Sequence, residues 1–213
     1  MIPARFIRVW LGDNPIPQLF EKWWNEFKDI HPNYEFLTIK DRNEIVIPEK
    51  IRSIYENAQT YAGRSDILRL CALSQLGGIY VDTDMMPLKS FDPFLSHTQP
   101  FIGLRSKSSF ANGVIGSPKE HYAIDRALDF LPIWYNLKKS HACSVSTGPA
   151  FISRIWFKKK WITHCPIAYF YPYNGFGQPS RSVRDKMFSD KKNFPKQMFA
   201  AHYGSHTWGG KPK

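Results

Sequence analysis

Long apolar runs are missing from this 213-residue sequence: no stretch approaches the roughly 20 apolar residues needed to span a bilayer. The amino terminus, Met1 to Arg8, has no signal-peptide pattern either, because Arg5 and Arg8 interrupt its short apolar run and no small-residue cleavage site follows. The expectation is a chain on the cytosolic side with no transmembrane segment. Cysteine is scarce. Cys71, Cys143 and Cys165 are odd in number and never spaced C-x-x-C, which argues against a disulfide framework or a cysteine zinc site and for structural burial of all three. Acidic residues nearly vanish from the last third: residues 151–213 hold 2 Asp+Glu against 12 Lys+Arg, whereas residues 1–150 hold 16 against 17. Almost the whole net charge of +11 therefore sits in one segment. Such a segment suits an anionic partner (nucleic acid, a phosphorylated ligand, lipid headgroups) or is a solvated basic face.

Apolar residues make up 43% of the chain and aromatics 15%, enough to build a packed core and to exclude disorder. Length favours one domain over residues 1–213, with a nucleotide-binding part to about residue 90 and an acceptor side with a basic closing segment from about 91. Residues 5–11, β-branched and aromatic, read as a strand ended by Gly12-Asp13-Asn14-Pro15. An amphipathic helix is expected over 17–30, with Leu19, Phe20, Trp23, Trp24 and Phe27 at helical spacing, then a strand over 34–39. This β-α-β order implies parallel strands joined by a helical crossover. Short helices fit 48–58. The clearest helix covers 64–76, stopped by Gly77-Gly78, and Ile79-Tyr80-Val81 follows as a buried strand. Further strands are expected at 100–104 and 113–115, helices at 121–131 and 146–156, and packed loops beyond Pro166.

The most specific feature is Asp82-x-Asp84 at the carboxyl end of that buried strand. Ligand crevices of open α/β sheets lie outside such strand ends, and two carboxylates one residue apart offer hard oxygens to Mg²⁺ or Mn²⁺. D-x-D triplets are often solvated loop acids, but acids following an apolar strand, close to the core, call for a cation or a cationic side chain. Asp66 and Arg69, at i and i+3, share one helix face.

Ser65-Asp66-Ile67-Leu68-Arg69 followed by Leu76-Gly77-Gly78-Ile79-Tyr80-Val81-Asp82-Thr83-Asp84 resembles the donor-site signature of DXD sugar transferases. That family includes the yeast initiating α-mannosyltransferase, bacterial capsule enzymes and the clostridial glucosylating toxins. The likeness is strong over residues 64–88, supported by residues 7–12 and 202–208, and loose over 105–198. It implies an α/β fold of the GT-A type: a Rossmann-like nucleotide-sugar-binding domain with a mixed, mainly parallel central sheet flanked by helices. It further implies that Asp84 binds Mn²⁺ or Mg²⁺ while Asp82 touches the ribose and the metal shell. Asp66 and Arg69 would hold the donor sugar, Arg69 also approaching the diphosphate, and Trp10 would stack on uracil. Thr38, Ser65, Tyr80 and Val81 are further nucleotide-site candidates on the same ground. Near the carboxyl end the family shows a histidine and a Ser-Trp pair; here His202 and His206 bracket Ser205, and Thr207-Trp208 stands instead, so His202, Ser205 and His206 all remain candidates to complete the site, with His202 the favoured metal ligand. Asn112-Gly113 and Ser146-Thr147-Gly148-Pro149 resemble acceptor-side loops, with plain turn chemistry the alternative.

The reading is a metal-dependent hexosyl or deoxyhexosyl transferase using a UDP-sugar donor and a glycan or glycoprotein acceptor, with retention at the anomeric carbon. Two rivals stand beside it. Aspartyl-phosphate hydrolases also place D-x-D after an apolar strand, with the first Asp as nucleophile, but near the amino terminus and in a different following sequence. A nucleic-acid module would use the basic aromatic block Trp156-Phe157-Lys158-Lys159-Lys160-Trp161, with aromatics stacking bases and lysines meeting phosphates; no recognised nucleic-acid motif accompanies it, so nucleic acid is not the expected partner.

Overall fold

The computed structural model describes residues 1–138, 142–173 and 179–205. The chain opens with β1 (Arg5–Val9), α1 (Gln18–Ile30) and β2 (Glu35–Ile39), the expected parallel β-α-β unit. The next elements are α2 (Glu49–Asn57), α3 (Tyr61–Leu76), β3 (Gly78–Val81) and β4 (Met85–Pro87). After a short α4 (Asp92–Leu95) come β5 (Phe101–Ser106), β6 (Ser109–Ser117) and α5 (Tyr122–Lys138). The last third holds α6 (Cys143–Ser146), α7 (Pro149–Trp156), β7 (Thr163–Cys165), α8 (Arg181–Phe188) and β8 (Ala200–His202). Six strands form one sheet in the order β2-β1-β3-β6-β5-β7, and β4 pairs with β8 in a second, two-stranded sheet. Only β6 runs against its neighbours in the large sheet, so the arrangement is mixed and mainly parallel.

Strand alternation distributes the core over both faces. Ile7, Val9 and Tyr80 face α2, α3, α5 and α7, while Phe6, Ile79 and Val81 face α1 and the aromatic residues of the last third, including Phe170 and Phe199. Helix α1 buries Phe20, Trp23, Trp24 and Phe27; Leu19, at the same apparent spacing, is exposed. Helix α3 starts three residues before the expected position because the Thr60 hydroxyl accepts the Gly63 N–H as an N-cap. It ends at Gly77, whose φ of +64° suits glycine.

Three expectations are corrected. Helix α5 continues through Pro132 to Lys138, since Leu131 and Trp134 on either side are buried and packing outweighs the lost backbone bond. The helix expected over 146–156 breaks into α6 and α7 at Gly148, and Pro149 begins the second piece, where its missing N–H costs nothing. Beyond Pro166 the chain is more than loops: α8 and β8 lie there, and β8 completes a sheet whose partner is more than 100 residues earlier. No helix among the described residues is long and apolar enough to cross a membrane.

Gly78 has φ +106°, and a Cβ there would lie 2.8 Å from the Arg5 carbonyl oxygen, a backbone atom that cannot swing away. Gly63 is helical, and a Cβ added there would find no neighbour nearer than 3.5 Å. Gly78→Ala is therefore expected to lower the urea-unfolding free energy by about 2 to 3 kcal/mol, and Gly63→Ala to leave it unchanged or raise it by up to about 1 kcal/mol; equal losses for both would contradict this account of β3.

Candidate active site

The carboxyl ends of β1 and β3, the first half of α3, β6, the start of α7 and residues 171–173 and 202–205 enclose a cavity of about 830 Å³. At its floor lies Arg69, 5% exposed. Its guanidinium stands 4.3 Å from the Tyr80 ring centroid, 3.1 Å from Asp66 Oδ1 and 3.3 Å from Asp82 Oδ1, and donates to the Asn112 carbonyl at 2.5 Å. Burial works against its charge, but Tyr80, Asp82 and Asp66 more than compensate and hold its pKa above the ordinary value. Asp66 and Arg69 thus belong to a buried network and not to a surface ion pair.

Asp66, 6% exposed, accepts from Asn112 Nδ2 at 2.8 Å and from the Thr147 hydroxyl at 3.0 Å. Burial raises its carboxyl to about 6, against the opposing pull of Arg69, Thr147 and Asn112. Asp82 accepts from the Tyr80 hydroxyl at 2.8 Å, and its backbone N–H donates to the Gly113 carbonyl at 2.7 Å. Asp84, 3% exposed, accepts the Ser205 backbone N–H at 2.7 Å and has His202 Nε2 at 3.2 Å. Although burial pushes the Asp84 carboxyl up, His202 and the Ser205 donor take it well below the usual carboxylate range. Burial likewise lowers His202, yet Asp84 raises it above the ordinary imidazole value.

Asp82, Asp84 and His202 bring their ligating atoms within 4.8 Å of one another. His202 Nε2 is buried, and its closest charged neighbour is Asp84, so an imidazole nitrogen and two carboxylates stand within reach of a single cation. That donor set fits Mn²⁺ or Mg²⁺. The register Met85↔His202 between β4 and β8 creates this convergence by carrying His202 beside the Asp82-Thr83-Asp84 turn.

The sequence-derived candidates do not all meet here. Trp10, Ser65, Asp66, Arg69, Tyr80, Asp82, Asp84, His202 and Ser205 line the cavity. Thr38 and Val81 do not: Thr38 Oγ1 accepts from Arg8 Nε at 2.9 Å, and Val81 is 1% exposed in the core on the opposite sheet face. Both follow from alternation, which turns neighbouring strand residues to opposite sides. Tyr80 is buried beneath Arg69 with its hydroxyl committed to Asp82. Trp10 is half-buried, its Nε1 donating to the Asn14 carbonyl at 2.7 Å. His206 lies outside the described residues. Cys143 also departs from expectation: Cys71 and Cys165 are buried, but Cys143 is half-buried and lines the cavity.

Asn112 and Thr147 belong to β6 and to the turn before α7, where they grip Asp66. Their signal was the glycine that follows each. A Cβ on Gly113 would meet Asp82 Oδ2 at 2.7 Å, and one on Gly148 would meet Asp66 Oδ2 at 2.9 Å.

Residues 10–101, spanning this turn and α3, match the family described as glycosyltransferase sugar-binding region containing DXD motif. Residues 10–101 thus carry a DXD-containing glycosyltransferase sugar-binding region. Among curated relatives, inositol phosphoceramide mannosyltransferase 3 of Schizosaccharomyces pombe is 30% identical over 164 residues, covering 73% of this chain but 45% of that protein. The chain therefore spans less than half the length of this relative. Among solved structures, PaToxG glycosyltransferase superposes with a TM-score of 0.62 at 21% identity over 72% of this chain and 68% of that one. An active-site mutant of LgtC gives 0.56 at 13% identity over 94% and 87%. The fold of this chain is of the GT-A type.

The raised carboxyl of Asp66 has a signed consequence for stability. A carboxylate whose folded pKa exceeds its unfolded value contributes fully below the unfolded pKa, and that contribution is lost as pH rises through the folded pKa. The gap from 3.8 to about 6 corresponds to about 3 kcal/mol of stability. Asp66→Asn is expected to gain on the parent by an amount of that order as pH rises from 4 to 7 in denaturant titrations; parallel curves would refute the assignment.

Proposed function

We propose that this glycosyltransferase moves a hexosyl or deoxyhexosyl group from a UDP-sugar to a hydroxyl of a glycan acceptor, with Mn²⁺ or Mg²⁺ and with retention of configuration. The observation that carries the proposal is the convergence of Asp82, Asp84 and His202 at one end of a cavity large enough for a nucleotide sugar. The bound cation supplies charge neutralisation for the departing diphosphate.

The chain's own residues do the rest. Ser205 N–H fixes one Asp84 oxygen, and Tyr80 and Arg69 fix Asp82, so the ligands are preorganised. The Trp10 indole, tethered to the Asn14 carbonyl, offers a ring of set orientation on which uracil stacks. Asp66, held by Asn112, Thr147 and Arg69, accepts hydroxyls of the donor sugar. Among the described lining residues every carboxylate is engaged in this way, which leaves none free to attack the anomeric carbon. Retention then requires the acceptor hydroxyl to approach on the face from which the diphosphate leaves. The acceptor oxygen bonds to the anomeric carbon, the bond to phosphate breaks, and the hydroxyl proton passes to the departing oxygen.

Mannosyl transfer in the name of the fission-yeast relative supports mannose as a second donor reading. The rivals lose their footing. A phosphohydrolase needs a free nucleophilic Asp82, which here is bonded to Tyr80 and paired with Arg69. In the basic block, Trp156 is fully buried and donates to the Ala123 carbonyl, so it cannot stack on bases.

Calorimetric titration tests the proposal. UDP is expected to bind in the presence of Mn²⁺ and at least tenfold more weakly without it, tenfold being 1.4 kcal/mol. Asp84→Asn is expected to abolish the metal effect while the variant stays folded, which far-UV circular dichroism checks. Binding indifferent to metal would overturn the metal assignment, and preference for GDP would select the mannose reading.

A further inference from the structure

Among the described lining residues, Arg105 is the one charged side chain that the donor site does not employ. Of the described charged and imidazole side chains lining the cavity, Arg69 pairs with both Asp66 and Asp82, and Asp84 pairs with His202. Arg105 also lines it, is exposed, and forms no hydrogen bond or ion pair with any described residue.

Its location is built into the sheet. Pairing between β5 and β6 slips twice, between Ile102 and Leu104 and again between Leu104 and Ser106, so Arg105 has no cross-strand partner. Irregularities of this kind redirect side chains beside functional sites. Strand β5 stands two places from β3 in the order β3-β6-β5, which puts its backbone roughly 10 Å across the sheet from the strand that leads into Asp82. Between the two lies β6, carrying Asn112 and Gly113. Tyr171 walls the same side, its ring lying where a Cβ on Gly103 of β5 would fall. The uracil-stacking candidate Trp10 belongs to the opposite side, beyond β3 and past the end of β1.

We infer that Arg105 binds an anionic group, a phosphate or a carboxylate, carried by the acceptor next to the hydroxyl that receives the sugar. The inference rests on the glycosyltransferase reading and deepens it by naming the acceptor's chemical class. A guanidinium suits this task because its planar donors match either oxyanion bidentately.

The test titrates mannose, mannose 6-phosphate and glucuronic acid into the protein, with and without saturating UDP and Mn²⁺. At least one anionic sugar is expected to bind tenfold or more tightly than mannose. Arg105→Ala should bring that ratio close to one while UDP affinity stays within twofold, Arg105→Lys should keep part of it, and Lys107→Ala on the same hairpin should keep all of it. Tighter binding of mannose 6-phosphate alone assigns a phosphorylated acceptor, and of glucuronic acid alone an acidic sugar. Equal affinities in the parent, a ratio that survives Arg105→Ala, or one that falls equally in Lys107→Ala would overturn the inference, as would a large loss of UDP affinity in Arg105→Ala. Failure of UDP to bind the parent strikes the donor reading instead, and the titrations without UDP still decide for or against Arg105.

Discussion

The buried guanidinium of Arg69 is the constraint around which this site is arranged. A cation almost withdrawn from water must be met by anions and carbonyls at close range, because uncompensated burial of a charge costs several kcal/mol. Here those partners come from three elements: Asp66 from α3 itself, Asp82 from the end of β3, and the Asn112 carbonyl from β6. The helix is thereby locked to the two strands whose ends form the cavity floor. Asp66 in turn needs donors for its remaining lone pairs, and Asn112 and Thr147 supply them. The turn into α7 is tied to the same point, and glycine follows each of those two residues because no Cβ fits beside the carboxylates.

A second cluster grows from the first. Asp82 belongs to both, paired with Arg69 through one oxygen while the other lies 3.7 Å from His202. Asp84 is held by the Ser205 N–H and faces the same imidazole. The pairing of β4 with β8 makes this possible, and Arg184 of α8 braces the turn that follows by donating to the Gly204 carbonyl at 2.7 Å. The basic last third thus contributes to the metal end of the site through one strand and one turn, while much of its positive charge, including Lys158, Lys159 and Lys160, remains solvated.

Legibility followed the range of the interactions. Local signals located the first parallel β-α-β unit, the helix capped by Gly77 and the strand running into Asp82, since each depends on periodicity and neighbouring breakers. The extension of α5 through Pro132 was hidden because a proline normally ends a helix, and only the packing of Leu131 and Trp134 overrides it. The resemblance made Thr38 and Val81 nucleotide-site candidates, but the direction of each side chain on its strand takes it out of the cavity. Asn112 and Thr147 read as loop residues because their partner, Asp66, lies 46 and 81 positions away.

The sequence by itself determined the class of fold, the Asp82-Thr83-Asp84 turn at the end of an apolar strand, and the helical spacing that turns Asp66 and Arg69 to one side, all of which are set within a few residues of one another. Tertiary structure decided that this side is buried, that His202 and not the strand residue Thr38 reaches the site, and that Arg105 stands at its far edge with no ion-pair partner among the described residues. The reason is physical: burial and charge pairing depend on which distant backbone lies 3 Å away, and no local pattern carries that distance.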